Sequence, residues 1–149
     1  MNIGKICNKN VTVCHRDTTA LQLAQLMRKH HVGDCLVVDS ISGITLPVGI
    51  VTDRDLVVSV IAPEIDAATI CVEDIMSSPL TTAYESEDIF SVLERMRQHG
   101  IRRIPIIDET GCLFGIVALD DIVAALAGML VQMALVSGQG KSLEEQHKH

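Results

Sequence analysis

Apolar residues fall along this chain in two textures, short continuous runs and stretches spaced three or four apart, and the same alternation occurs twice. Continuous runs at residues 35–38 (Cys-Leu-Val-Val) and 104–107 (Ile-Pro-Ile-Ile) suit strands buried on both faces. Ahead of each lies helical spacing: Leu21, Ala24 and Met27 in one case, Ile89, Val92, Leu93 and Met96 in the other. These faces follow the start signals Asp17-Thr18-Thr19 and Ser86-Glu87-Asp88, and their helices run to about His30 and Gln98. Residues 11–14 and 80–83 read as short opening strands, and residues 40–47 and 109–112 as turns, the second with Gly111. After each turn comes Gly49-Ile50-Val51-Thr52-Asp53-Arg54-Asp55-Leu56 or Gly115-Ile116-Val117-Ala118-Leu119-Asp120-Asp121-Ile122. Each is a buried strand running directly into a helix N-terminus. The pattern predicts β-α-β-β-α twice, an α/β (α+β) chain.

The two halves are copies. A shift of 69 positions sets Thr12 on Thr81, Met27 on Met96, Arg28 on Arg97, His30 on His99 and Asp39 on Asp108. Three extra residues in 40–47 then change the shift to 66 and set Gly49 on Gly115. Matches in register through a whole unit mark a duplication. The predicted organisation is repeat 1 over 3–62, a linker over 63–71 with Pro63, and repeat 2 over 72–127. A short lead-in helix at 72–76 matches residues 3–7.

The last helix breaks the symmetry. From Ile122 to Val136 it is apolar almost all round, relieved by little more than Gly128 and Gln132. Exposed, it is an aggregation liability, and at that length it falls short of the about 20 apolar residues that span a bilayer. The expectation is burial against a second copy, a homodimer through the second helices and residues 126–136. Residues 137–149 read as a loose polar tail.

Composition narrows the class. With 48% hydrophobic residues the chain of 149 is no disordered polymer, and with 2% aromatics its core is aliphatic. No basic flank with an apolar stretch opens the chain, which reads as cytoplasmic rather than exported. A formal charge of −7 argues against general nucleic-acid binding. Cys7, Cys14, Cys35, Cys71 and Cys112 are odd in number and without a C-x-x-C pair, as expected of reduced thiols.

Chemistry concentrates where strand meets helix. Thr52 and Asp55 stand three apart at a helix start, whose free N–H groups attract anions and polar ligand groups. The same spacing is also that of a capping box, which needs no ligand. In the second copy Ala118 offers no cap while Asp121 keeps its place, so the acid asks for a reason of its own.

Taken together, Met27-Arg28-Lys29-His30-His31-Val32-Gly33-Asp34 with the Gly49–Asp55 run, and Ile101-Arg102-Arg103-Ile104-Pro105 with the Gly115–Asp121 run, resemble the CBS-domain family. The likeness is to the stand-alone tandem pair, the Bateman module, of bacteria. It implies a non-catalytic sensor that binds an adenosine nucleotide between the repeats. AMP, ADP, ATP and S-adenosylmethionine are the candidate ligands, and an unidentified effector protein would receive the signal. By the resemblance, Asp55 and Asp121 are ribose contacts and Thr52 with its neighbour Arg54 belongs to the same ligand-binding motif. Thr12 and Thr81 become further polar contacts, and Arg102 and Arg103 the phosphate-binding residues.

The repeats depart from the pattern in complementary ways. Repeat 1 has Thr52 and Asp55 but carries Gly33 and Asp34 where repeat 2 has its arginines; repeat 2 lacks the threonine. Unequal clefts follow, with Asp34 repelling phosphate. Two other functions compete: a structural dimerisation module without a ligand, and an enzyme. For an enzyme the available nucleophile–base pairs are Cys35 with His30 or His31, and Cys14 with His15. No catalytic residue or metal site is assigned.

Overall fold

The computed structural model describes residues 1–148, with side chains described through residue 139. Its elements repeat as read from the pattern. Repeat 1 runs β1 (Val13–Cys14), α1 (Ala20–His30), β2 (Asp34–Ile41), β3 (Ile44–Thr52) and α2 (Asp53–Leu56). Repeat 2 runs β4 (Ala83–Tyr84), α3 (Ile89–His99), β5 (Arg103–Ile107), β6 (Leu113–Ala118) and α4 (Leu119–Lys148). Each repeat folds into a three-stranded sheet, β1-β2-β3 and β4-β5-β6, whose first pair is parallel and second antiparallel.

The duplication is visible in the registers. Cys14 pairs with Val37 as Ala83 pairs with Ile106, each related by the sequence shift. Both hairpins also carry an irregularity at the same place, after Val37 and after Ile106, where Gly49 and Gly115 stand opposite. The three extra residues of repeat 1 are therefore added beyond this point.

They do not make a longer turn. Residues 40–47 were expected to loop, yet β2 continues to Ile41 and β3 starts at Ile44. The reversal is confined to Ser42 and Gly43, both at positive φ (51° and 79°), the backbone that lets a two-residue turn follow the twist of a hairpin. Repeat 2 instead closes over residues 108–112. There the Asp108 carboxylate accepts the Thr110 and Cys112 N–H groups at 2.9 and 3.1 Å.

Other expectations shift. The opening strands are shorter and later than residues 11–14 and 80–83, because only two residues of each lie beside the next strand. Thr12 and Thr81 thus precede β1 and β4. Helix α1 buries Ala20, Leu23 and Met27 and leaves Leu21 and Ala24 exposed, so its inner face is rotated from the predicted one. Ala20, Leu23 and Met27 fit helical spacing as well as Leu21, Ala24 and Met27 do, and a Thr19–Gln22 capping box starts the helix at Ala20. Helix α3 buries Ile89, Val92 and Met96 as expected. After α2 the backbone widens into a π-type turn, Val57–Ile61, before the linker. The last helix reaches Lys148, so backbone expected to be loose from residue 137 is helical; residue 149 lies outside the described residues.

The lead-in turns are exchanged. Ile3–Lys5 opens the chain, yet Ile3 is fully buried among Ala83, Ile89, Val92, Ile104 and Val117 of repeat 2. Val72, from the start of repeat 2, lies in the core of repeat 1 with Cys14, Leu23, Met27 and Val51. Backbone bonds hold both exchanges: Asn8 bridges to Ile116 and Ser77 to Ile50. This crossing explains the two glycines. A Cβ on Gly115 would stand 2.7 Å from the Asn8 carbonyl oxygen, and one on Gly49 would strike the Met76 side chain.

Candidate functional site

Strand β3 ends at Thr52, whose extended backbone turns into α2. The Thr52 Oγ1 accepts the Asp55 N–H at 3.2 Å and the Asp55 Oδ2 accepts the Thr52 N–H at 2.8 Å. The capping box is formed. In repeat 2 the Asp121 Oδ2 accepts the Ala118 N–H at 2.8 Å, so half of the box survives the loss of the hydroxyl. That corrects the inference that Asp121 needed a purpose beyond the cap. A carboxylate has room for about four hydrogen bonds, however, and one N–H leaves capacity for a diol.

The crossing of the lead-in segments makes a cavity between the repeats. Its volume is about 360 Å³, and Asn8, Thr12, His31, Asp34, Arg103 and Asp121 are among its lining residues. Val11, Val32 and Ile116 supply apolar wall beside them. Thus Thr12 shares this cavity with Asp121 and Arg103 of the opposite repeat rather than with Thr52 and Asp55 of its own. Those two, with Arg54 and Thr81, do not line this cavity. Arg54 is exposed at the start of α2, and Thr81 is half-buried ahead of β4. Arg102 is exposed and lines a separate hollow of about 230 Å³ with Arg103, Ala118, Leu119 and Asp120.

Asp34 does not stand alone. Its Oδ2 lies 2.7 Å from the Arg103 Nε, an ion pair joining the two repeats. Residues 34 and 103 are related by the duplication itself, so a contact between them lies on the pseudo-twofold axis, and both line the cavity. The charges face each other because the same position carries an acid in one copy and a base in the other.

Two polar lining residues, Asn8 and Asn10, escaped the sequence reading, and His31 entered it only in a motif and as a candidate base. His31 is signalled in retrospect by its place just past α1, where it adopts the left-handed conformation at φ 54°. Asn8 and Asn10 give no local signal, since only the exchange of the N-terminal segment brings them to repeat 2.

In the candidate nucleophile–base pairs, Cys14 and Cys35 are buried while His15 is exposed. Cys35 is almost wholly buried in β2, and its hydrogen bond with Cys14 and its burial push its thiol well above the ordinary range. His30 and His31 are exposed.

Two repeated β-α-β-β-α units, crossed at their lead-in segments and enclosing a polar cleft, define a paired-repeat fold. The chain belongs to the CBS domain family, whose model matches residues 3–61 and 72–128. It is 36% identical over 104 residues to a CBS domain-containing protein, YhcV, of Bacillus subtilis, covering 70% of each chain. An uncharacterized protein of Methanopyrus kandleri is 34% identical over 122 residues, 82% of this chain and 61% of that protein, so this chain spans about three fifths of that relative's length. The CBS domain pair of protein MJ0100, in complex with 5′-methylthioadenosine and S-adenosyl-L-methionine, superimposes with a TM-score of 0.73 at 25% identity. That match covers 87% of this chain and 98% of the other.

Proposed function

We propose that this chain is a non-catalytic regulatory module that binds an adenosine-type ligand in the cleft between its CBS repeats. One observation carries the reading: a single cavity gathers Thr12 of repeat 1 with Asp121 and Arg103 of repeat 2. A carboxylate fixed by its own helix start suits a ribose diol. The apolar Val11, Val32 and Ile116 suit a purine, and Arg103 suits an anionic substituent. The adenosine-type ligands of the MJ0100 pair support the class. Asp55, Thr52, Arg54 and Thr81 are the corresponding set for the second cleft, with Arg102 near both. Titration calorimetry with AMP, ADP, ATP and S-adenosylmethionine tests this. At least one should bind, and Asp121→Ala should weaken it by about 1–3 kcal/mol, the worth of a charge-assisted hydrogen bond. Absence of heat and of any thermal shift with all four ligands overturns it.

A second reading, dimerisation, rests on the exposed helices. Val57, Val58 and Ile61 after α2, with Leu130, Met133 and Val136 on α4, are all more than half exposed. An apolar groove of about 700 Å³ reaches the start of α4, with Phe90, Leu93, Met96, Ile101 and Leu119 among its lining residues. The apolar stretch is longer than the sequence reading held. Leu119–Gln139 spans 21 residues and is long and apolar enough to cross a membrane, so length no longer argues against that. The second copy remains our proposal, for a cytoplasmic homodimer that signals through an effector protein. Asp120 and Asp121 sit in the first turn of this helix, and Asp121 also lines the ligand cleft, which keeps that end at the soluble pair. Leu130→Asp should give monomer or precipitate. An unchanged dimer in light scattering, or wild-type protein floating with lipid vesicles, sinks this placement.

A further inference from the structure

Charge in the cleft is not what a phosphate site wants. The cavity holds two carboxylates, Asp34 and Asp121, against one arginine. Arg103 is already paired with Asp34 at 2.7 Å. Were both axial positions arginine, two cations would face each other and only an anionic ligand would relieve them. With Asp34 in place the axis is neutral before anything binds. A phosphate reaching Arg103 must displace a carboxylate and then lie beside it, which opposes binding through like-charge repulsion. The pair itself does not resist opening, because Arg103 is 52% exposed and exposed ion pairs contribute little.

We infer that the Asp34–Arg103 pair is a charge filter, making the Thr12–Asp121 cleft selective for adenosine ligands with a zwitterionic or cationic 5′ substituent over phosphorylated ones. The inference rests on the adenosine-site reading above. An amino-acid substituent matches the pair end for end: its carboxylate meets the Arg103 guanidinium and its ammonium meets the Asp34 carboxylate. A sulfonium adds attraction to Asp34 and Asp121. Neutral adenosine engages Asp121 and Thr12 and ignores the filter. Asp34 thereby discriminates among ligands as much by repulsion as by attraction.

Three probes and one near-isosteric variant decide the matter: adenosine, AMP and S-adenosylmethionine titrated calorimetrically into the full chain and into Asp34→Asn. The wild-type protein should bind S-adenosylmethionine at least about tenfold more tightly than AMP, one full charge interaction in a half-exposed cleft. Asp34→Asn should tighten AMP about tenfold, loosen S-adenosylmethionine several-fold and leave adenosine within about twofold. An AMP to S-adenosylmethionine ratio unchanged by the substitution, or wild-type preference for AMP, overturns the filter while leaving the adenosine site standing. Failure of both proteins to bind all three probes overturns the adenosine-site reading and the filter with it.

Discussion

Repeat 1 offers a complete helix cap and an acid where repeat 2 offers half a cap and an arginine. Thr52 and Asp55 satisfy each other's N–H groups, whereas Asp121 serves Ala118 alone. At the axis Asp34 answers Arg103. The backbones are close copies, down to the hairpin irregularity opposite Gly49 and Gly115, so these differences lie in side chains. A duplicated fold with identical halves places like charges against each other wherever a residue meets its own counterpart. Divergence at one such position turns a repulsive contact into an attractive one. It also makes the two halves chemically unequal at that position, with no change of fold.

The largest expected effect tests whether each repeat depends on the other's lead-in segment. Ile3→Ala removes a fully buried side chain from the core of repeat 2 and should cost about 2–5 kcal/mol in urea unfolding. Val72→Ala, in the core of repeat 1, removes less volume and should cost less. Hydrogen exchange locates the damage. Faster exchange in β5 and β6 than in β2 and β3 is expected for the Ile3 variant, and the reverse order would mean the exchange does not hold repeat 2 together.

The glycines sharpen the same comparison. At Gly115 a new Cβ meets the Asn8 carbonyl at 2.7 Å, backbone that cannot step aside. At Gly49 it meets chiefly the flexible Met76 side chain, with the Ser77 carbonyl at 3.2 Å. Gly115→Ala should therefore cost about 1–3 kcal/mol and Gly49→Ala less. Equal melting temperatures for the two variants would show that the close approach is not what requires glycine.

Much of this architecture was legible because local signals and tertiary burial agree. The runs at 35–38 and 104–107 are buried throughout or nearly so, and the duplicated spacing carried the β-α-β-β-α order. The hairpin at Ser42-Gly43 was missed because its polar tip hid strand residues such as Thr45 and Leu46, whose partners Ser40 and Asp39 are not apolar. The inner face of α1 was misplaced because Leu21-Ala24-Met27 and Ala20-Leu23-Met27 both fit helical spacing. The cleft was half legible. Asp34, Arg103, Thr12 and Asp121 each drew attention, but a sequence aligned repeat on repeat does not say which acid shares a cavity with Thr12. Only the crossing of the lead-in segments places it in one cavity with Asp121.

Acid unfolding separates the repeats next. In repeat 2 Arg95 bonds Glu87 and holds its carboxyl below its ordinary value near 4.5. The corresponding positions of repeat 1 are Leu26 and Thr18. A depressed carboxyl contributes stability that is full above pH 4.5 and is lost as pH falls through its lower native value. Repeat 1 has Arg16 with Asp39 in the same sense, its carboxyl held below 3.8, but that pair is more open to solvent. Arg95→Gln should cost about 1 kcal/mol at neutral pH and flatten the acid limb, and Arg16→Gln should do less. Identical stability-versus-pH curves for Arg95→Gln and wild type would remove Glu87 from the account.

The smallest effects exchange the caps themselves. Thr52→Ala gives repeat 1 the half-cap of repeat 2: Asp55 still accepts the N–H of residue 52, but its own N–H loses the Thr52 Oγ1 acceptor. The loss should be about 0.5–1 kcal/mol in ligand-free protein, the low end for a cap because α2 is short and the capping acid remains. Ala118→Thr is the converse. Ala118 is half-buried with its N–H already bonded to Asp121, so a hydroxyl there meets a helix start prepared for it. It should add up to about 0.5 kcal/mol if the new side chain reaches the Asp121 N–H. The pair of substitutions is informative together. Loss in the first and gain in the second would establish that the two helix starts are interchangeable, their difference one hydroxyl. A loss in both would mean that the Ala118 site has closed around its smaller side chain, and that repeat 2 has no room for the cap its counterpart keeps.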